Sequence, residues 1–114
     1  MDDCIFCKIA RGEIPCHKVY EDNDILAFLD TNPVTRGHCL VITKEHFQNL
    51  LYVPKDLLGK AMAAAQKIAQ AEVASLGAKG VNILINTNEV AGQTVMHFHI
   101  HVIPRYDSKD SLKI

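Results

Sequence analysis

Three histidines, His97, His99 and His101, occupy alternate positions of the run MHFHIHVIP at 96–104, and every other member of that run is apolar. Side chains of an extended strand alternate between faces at a rise of about 3.3 Å per residue. The three imidazoles therefore share one face, roughly 6.6 Å apart, and Met96, Phe98, Ile100 and Val102 are expected to face a core. A solvent face with no chemical task would carry Thr, Val or Lys instead. Two chemistries fit. Imidazoles at i and i+2 can both reach one zinc ion, which with a further ligand makes a zinc hydrolase. Alternatively, a neutral imidazole attacks phosphorus through one ring nitrogen while an acceptor on its other N–H fixes the tautomer, and its neighbours orient it and assist the leaving group. The loop feeding the strand, NTNEVAGQT at 86–94, places a glycine (Gly92), an amide (Gln93) and a hydroxyl (Thr94) beside the rings. These are neutral donors suited to a phosphate oxygen. No Asp or Glu lies within the histidine strand to complete a metal triad, so the balance tilts toward phosphoryl transfer.

The elements that must hold this strand can be read from periodicity. Ile5, Phe6 and Ile9 at helical spacing before Gly12 predict a short helix over 4–11. Strand-like runs at 17–21 and 24–29 flank Asp22-Asn23 and predict a hairpin. A third strand is expected at 38–43, with Thr43 capping a short helix from Lys44. From 54 to 76 the positions Leu57, Leu58, Ala61, Met62, Ala65, Ile68, Ala69, Val73 and Leu76 form one apolar face, predicting a long helix in which Gly59 costs about 1 kcal/mol relative to Ala. Strands at 81–86 and 95–103 complete the set. Five strands, one long and short helices and no βαβ alternation predict an α+β fold, an antiparallel sheet with helices on one face.

With 114 residues, no internal repeat and no linker, residues 1–114 read as a single domain. Twelve Lys and Arg against thirteen Asp and Glu leave a net charge of −1, which gives no electrostatic footprint for nucleic acid or an anionic membrane. The acidic start MDDC and the lack of a long apolar run predict a cytoplasmic protein with no leader or membrane span. In that reducing setting Cys4, Cys7, Cys16 and Cys39 are not expected to form disulfides. Cys39 reads as a small core residue, and Cys4-x-x-Cys7 as metal, redox or packing.

The stretch GQTVMHFHIHV at 92–102 resembles the signature of the histidine triad (HIT) superfamily. CIFCKI at 4–9, Glu13-Ile14-Pro15, AFLD at 27–30 and GHCLVI at 37–42 are similar to successive blocks of its nucleotide-binding (Hint) branch, zinc-containing type. The resemblance implies a HIT-like homodimer whose two five-stranded sheets join into one, and hydrolysis of nucleoside phosphoramidate or dinucleotide-type substrates through a nucleotidyl-histidine intermediate. It implies His99 as nucleophile and His101 at the phosphate or leaving group, with Gly92, Gln93 and Thr94 beside it and Asn86 near phosphate or ribose. Asp30 would bind the ribose hydroxyls, and Ile5, Phe6, Ile9, Phe28 and Leu40 would hold the purine base of a nucleoside monophosphate. His38 would support the site from the adjacent strand, and His17 reads as surface. The same resemblance implies a structural zinc on Cys4, Cys7, His46 and His97, and no organic cofactor. Two other functions share much of this sequence: a nucleotide-binding scaffold with negligible turnover, and a zinc hydrolase with its metal on the three strand histidines. The chain departs from the pattern in its short tail after Arg105 and in Thr94, where a serine is common.

Overall fold

The structure, a computed structural model, describes residues 3–110. Helix α1 (Ile5–Ala10) precedes a hairpin of β1 (Lys18–Glu21) and β2 (Ile25–Leu29), followed by β3 (Cys39–Thr43), the long helix α2 (Lys55–Ser75), β4 (Gly80–Leu84) and β5 (His99–Arg105). The hairpin turn is made by Asp22, whose Oδ1 accepts from the backbone amides of Asp24 and Ile25 at 2.8 Å each. All strand pairs are antiparallel, in the order β1-β2-β3-β5-β4. The histidine strand is therefore an inner strand, locked between β3 and β4.

β2 and β3 are apolar on both faces, so both faces need cover. Ile25, Ala27, Cys39, Val41, Ile100 and Val102 meet Ala61, Ala64, Ala65 and Ile68 of α2. Leu26, Phe28, Leu40 and Ile42 point the other way and are covered by Phe6 and Ile9 of α1. The expected arrangement of helices on one face is thus replaced by one helix on each. Among the described residues no helix is long and apolar enough to cross a membrane.

Several boundaries differ from expectation for identifiable reasons. The helix expected from Lys44 does not form, because the Thr43 hydroxyl donates to Glu45 O at 2.8 Å instead of capping amides. A 3-10 turn forms later, at Leu50–Tyr52, where Asn49 Oδ1 accepts from Leu51 N at 3.0 Å. β5 begins at His99 rather than at 95, since Phe98 N–H donates to the loop carbonyl of Phe47 at 2.7 Å and not to a ladder partner. Met96, expected in the core, is 37% exposed as a result. β5 also runs past Pro104: its pairing with β3 stops at Cys39↔Val102, so the missing N–H interrupts no ladder on that side. On α2 the inward stripe is Ala61, Ala64, Ala65, Ile68 and Glu72, leaving Met62, Val73 and Leu76 exposed.

Candidate active site and metal centre

The alternation expected of the histidine strand holds for its central members. Phe98, Ile100 and Val102 are buried against α2, and the three rings lie on the α1 side. Each ring meets a different neighbour. His99 Nδ1 lies 2.7 Å from His97 O. A carbonyl can only accept, so Nδ1 carries the proton and Nε2 keeps its lone pair. Burial is the main force holding the pKa of His99 below its usual value, and this preserves the neutral ring.

The tautomer of His101 follows from a longer chain. Val34 N–H donates to His38 Nδ1 at 3.1 Å, which puts the His38 proton on Nε2. That N–H donates to His101 Nδ1 at 3.0 Å, with Asp30 Oδ2 3.5 Å from the same His38 nitrogen. His101 therefore carries its own proton on Nε2. Burial first, then the neighbouring His99 and His38, push His101 down to about 4. His99 and His101 stand with ring centroids 5.1 Å apart, one offering a lone pair and the other an N–H.

Both rings open onto a cavity of about 520 Å³. Its apolar part is formed by Ile5, Phe6, Ile9, Phe28 and Leu40, and its polar part by Asp30, Thr94, His99 and His101. The Phe6 ring meets His99 edge-on at 5.2 Å between centroids, so α1 is at once a wall of the cavity and a support for the ring. His17 is exposed and lies on the rim of this cavity. Ile14, from the Glu13-Ile14-Pro15 block, and Cys16, which belongs to no motif, also line it, on the segment that runs from α1 to β1. Asn86, Gly92 and Gln93 do not line it. The Gln93 side chain is 2% exposed and fully engaged: its Nε2 donates to Gln48 O at 2.7 Å and Val95 O at 3.0 Å, and its Oε1 accepts from Asn88 N at 2.8 Å. It ties the 88–95 loop to the 44–49 segment. Asn86 Nδ2 donates to Gly92 O at 3.4 Å, and Gly92 holds φ +101°, a conformation few residues other than glycine adopt.

His97 points away from the cavity into a separate cluster with Cys4, Cys7 and His46, whose ligand atoms all lie within 4.8 Å of one another. His97 Nε2–H donates to Thr43 O at 2.7 Å, which leaves Nδ1 free to coordinate. That nitrogen is 3.3 Å from Cys4 Sγ and 3.5 Å from Cys7 Sγ, and His46 Nδ1 is 3.3 Å from Cys7 Sγ. A tetrahedral ion with Zn–S near 2.3 Å and Zn–N near 2.0 Å needs S···N edges of about 3.5 Å, so the donor set and its spacing fit such an ion. Burial pushes the Cys7 thiol up to about 11, and a bound cation would supply what is needed to hold it as thiolate. Asp30, His38 and His101 form a second compact cluster. The Val34 N–H on His38 Nδ1 requires the proton on Nε2, which leaves that nitrogen no lone pair for a metal. The three strand histidines do not converge on one point, since His97 belongs to one cluster and His101 to the other.

An α+β domain that divides an alternating histidine strand between a Cys₂His₂ cluster and a cavity-facing imidazole pair defines a narrow class of protein. Residues 11–108 match the HIT domain model, and the chain belongs to the HIT family. It is 48% identical over 109 residues to "Protein hit" of Bacillus subtilis, covering 96% of this chain and 75% of that one. It is 44% identical over 104 residues to "Adenylylsulfatase HINT3" of Arabidopsis thaliana, covering 91% of this chain and 53% of the plant protein. Its fold superimposes with a TM-score of 0.93 on a Zn-bound histidine triad family protein from Mycobacterium smegmatis, at 42% identity and covering 98% of this chain and 82% of that one.

Proposed function

We propose that residues 1–114 form one HIT domain that binds purine nucleotides and hydrolyses nucleoside phosphoramidate or dinucleotide-type substrates through a nucleotidyl-His99 intermediate. The observation that carries this reading is the hydrogen bond from His99 Nδ1 to His97 O, which aims an unprotonated Nε2 at the cavity. The base lies against Phe6, Ile9 and Phe28, and Asp30 accepts from the ribose hydroxyls. When substrate binds, its phosphate anion favours the charged form of His101: a proton from solvent is taken up on Nδ1 as that nitrogen gives up its contact with His38, so that the Nε2 proton can be donated without leaving an imidazolate. His99 Nε2 forms a bond to phosphorus as the P–N or P–O bond breaks, and the leaving group departs with the His101 proton. Water then attacks phosphorus, the N–P bond breaks, and a proton from that water returns to His101. His38 is a positioning residue that holds His101 in the required tautomer. The plant relative named an adenylylsulfatase supports nucleotidyl chemistry on this scaffold.

The Cys4, Cys7, His46 and His97 site takes zinc in this reading, as the zinc-bound relative and the donor set support. With four protein ligands it has no open position for substrate, so its role is structural. The protein acts as a homodimer joined at β4, one of the sheet's two outer strands. There Ile83 is 43% and Met62 40% exposed, beside a shallow apolar hollow of about 620 Å³ formed with Gly59, Ala63, Ala69 and Val81.

The test is incubation with adenosine 5′-phosphoramidate, followed by quenching and peptide mass spectrometry. Wild type is expected to carry an adenylyl group on His99, and His99→Ala to lose it together with at least about 10³-fold in kcat/KM. An adduct elsewhere, or full activity in His99→Ala, refutes the mechanism. Tight AMP binding without turnover would instead support the scaffold reading.

A further inference from the structure

On the opposite face of the sheet from the nucleotide cavity, an apolar groove of about 390 Å³ opens between α2 and the β1 edge. Its volume lies within the range of about 300–1,000 Å³ typical of small-molecule sites. Val19, Leu29, Ile68, Ala71 and Leu76 form its walls. At its base is Glu72, a carboxyl only 4% exposed on the inward stripe of α2. Such groups are almost never buried without a partner. One oxygen, Oε2, receives a long contact of 3.8 Å from Cys39 Sγ. The other, Oε1, has no hydrogen-bond partner among the described residues. Lys67, the one cation on the rim among the described residues, stands over the Tyr20 ring at 5.7 Å from its centroid and makes no ion pair with Glu72. Burial pushes the Glu72 carboxyl up to about 7, so it is poised between its neutral and charged forms. An unsatisfied buried acceptor beneath an open apolar groove costs stability that a helix position could easily avoid with Ala or Leu.

We propose that this groove is a second ligand site, which takes a small molecule with an apolar body and one protonated amine, the amine donating to Glu72 Oε1 once a turn of the side chain brings this sealed oxygen to the groove. The walls bury the apolar body, and the ammonium supplies the missing donor and the compensating charge. The groove is on the β1 side of the sheet, the edge opposite β4, so it stays open if two chains pair through β4. Its walls include Leu29 and Gly37, each one residue from a member of the nucleotide site, Asp30 and His38. The proposal does not depend on the hydrolytic reading, because its test measures binding and not turnover.

The probe is 2-phenylethylamine, titrated into ¹⁵N-labelled protein, with 2-phenylethanol as its uncharged counterpart. Saturable amide shifts are expected at Val19, Gly37, Glu72 and Leu76, none of which lines the nucleotide cavity, with AMP still able to bind. Glu72→Gln and exchange of amine for alcohol should each weaken binding by at least about tenfold, the weight of one charge-assisted hydrogen bond. Ala71→Trp, which fills the groove without touching the carboxyl, should abolish the shifts; it keeps the test valid if Glu72→Gln alters the fold. Equal binding of the alcohol, unchanged binding in Ala71→Trp, shifts confined to the nucleotide cavity, or no saturable shifts would each overturn the proposal.

Discussion

Replacing both Cys4 and Cys7 by Ser should release α1 and with it the apolar wall proposed to hold the base, while leaving His99, the proposed nucleophile, in place. Helix α1 has six residues, far fewer than the roughly 12–15 an isolated helix needs to be even marginally stable in water. Fixing six backbones costs about 6 kcal/mol at about 1 kcal/mol each. The two large apolar side chains it buries, Phe6 and Ile9, return about 4 kcal/mol at about 2 kcal/mol each. The shortfall of about 2 kcal/mol is what the link from Cys4 and Cys7 to His46 and His97 must offset, and a structural zinc is more than sufficient for that. Without the link, α1 should be open in most molecules, and amide hydrogen exchange at residues 5–10 should lose its protection. Phe6 and Ile9 would leave the cavity wall, so KM for a nucleotide substrate should rise by about tenfold or more. The fall in kcat should be smaller, because His99 is held by the His97 carbonyl and His97 by Thr43 O, neither of which belongs to α1. Metal analysis, exchange mass spectrometry and steady-state kinetics on the double variant check these three outcomes, and a strong chelator applied to wild type should reproduce them. Unchanged zinc content, or wild-type protection of α1 in the metal-free variant, would refute the reasoning.

Two further outcomes are expected. Burial holds His38 below its usual value and His101 at about 4, against 6.5 for an unperturbed ring, so the unfolded chain binds more protons across that interval. The stabilisation is complete above about pH 6.5 and is lost as pH falls toward 4; melting temperature should drop over that window, and His101→Gln should flatten part of the slope. If chains pair through β4, Ile83→Lys should place a charge in the apolar hollow and halve the mass measured by light scattering at micromolar concentration; a wild-type monomer would refute the dimer.

What could be read before the fold was known, and what could not, divides along the range of the interactions involved. The alternation of Phe98, His99, Ile100 and His101 is local, and it placed the rings and the core residues on their correct faces. The strand's limits were not local: Phe98 N–H is drawn to Phe47 O, fifty-one positions earlier in the chain, and Pro104 is tolerated because β3 stops pairing at Val102. Gln93 looked like a phosphate donor by its residue type, yet its amide ties two loops together. Glu72 was invisible, because an Ala-rich helix has no sharp boundary between its faces and a carboxylate reads as solvent-facing by default. The clearest case is the triad itself. In the sequence the three imidazoles are equivalent, and only their partners make them different. His97 donates to Thr43 O and turns its lone pair toward two thiols, and His99 donates to the carbonyl of His97 and turns its lone pair toward the cavity. His101 accepts from His38, whose own tautomer is dictated by a loop amide, and so presents an N–H. The proposed roles of ligand, nucleophile and proton donor thus rest on three acceptor and donor contacts on a repeating pattern, and moving any one of them would change the chemistry open to the site without changing a residue of the triad.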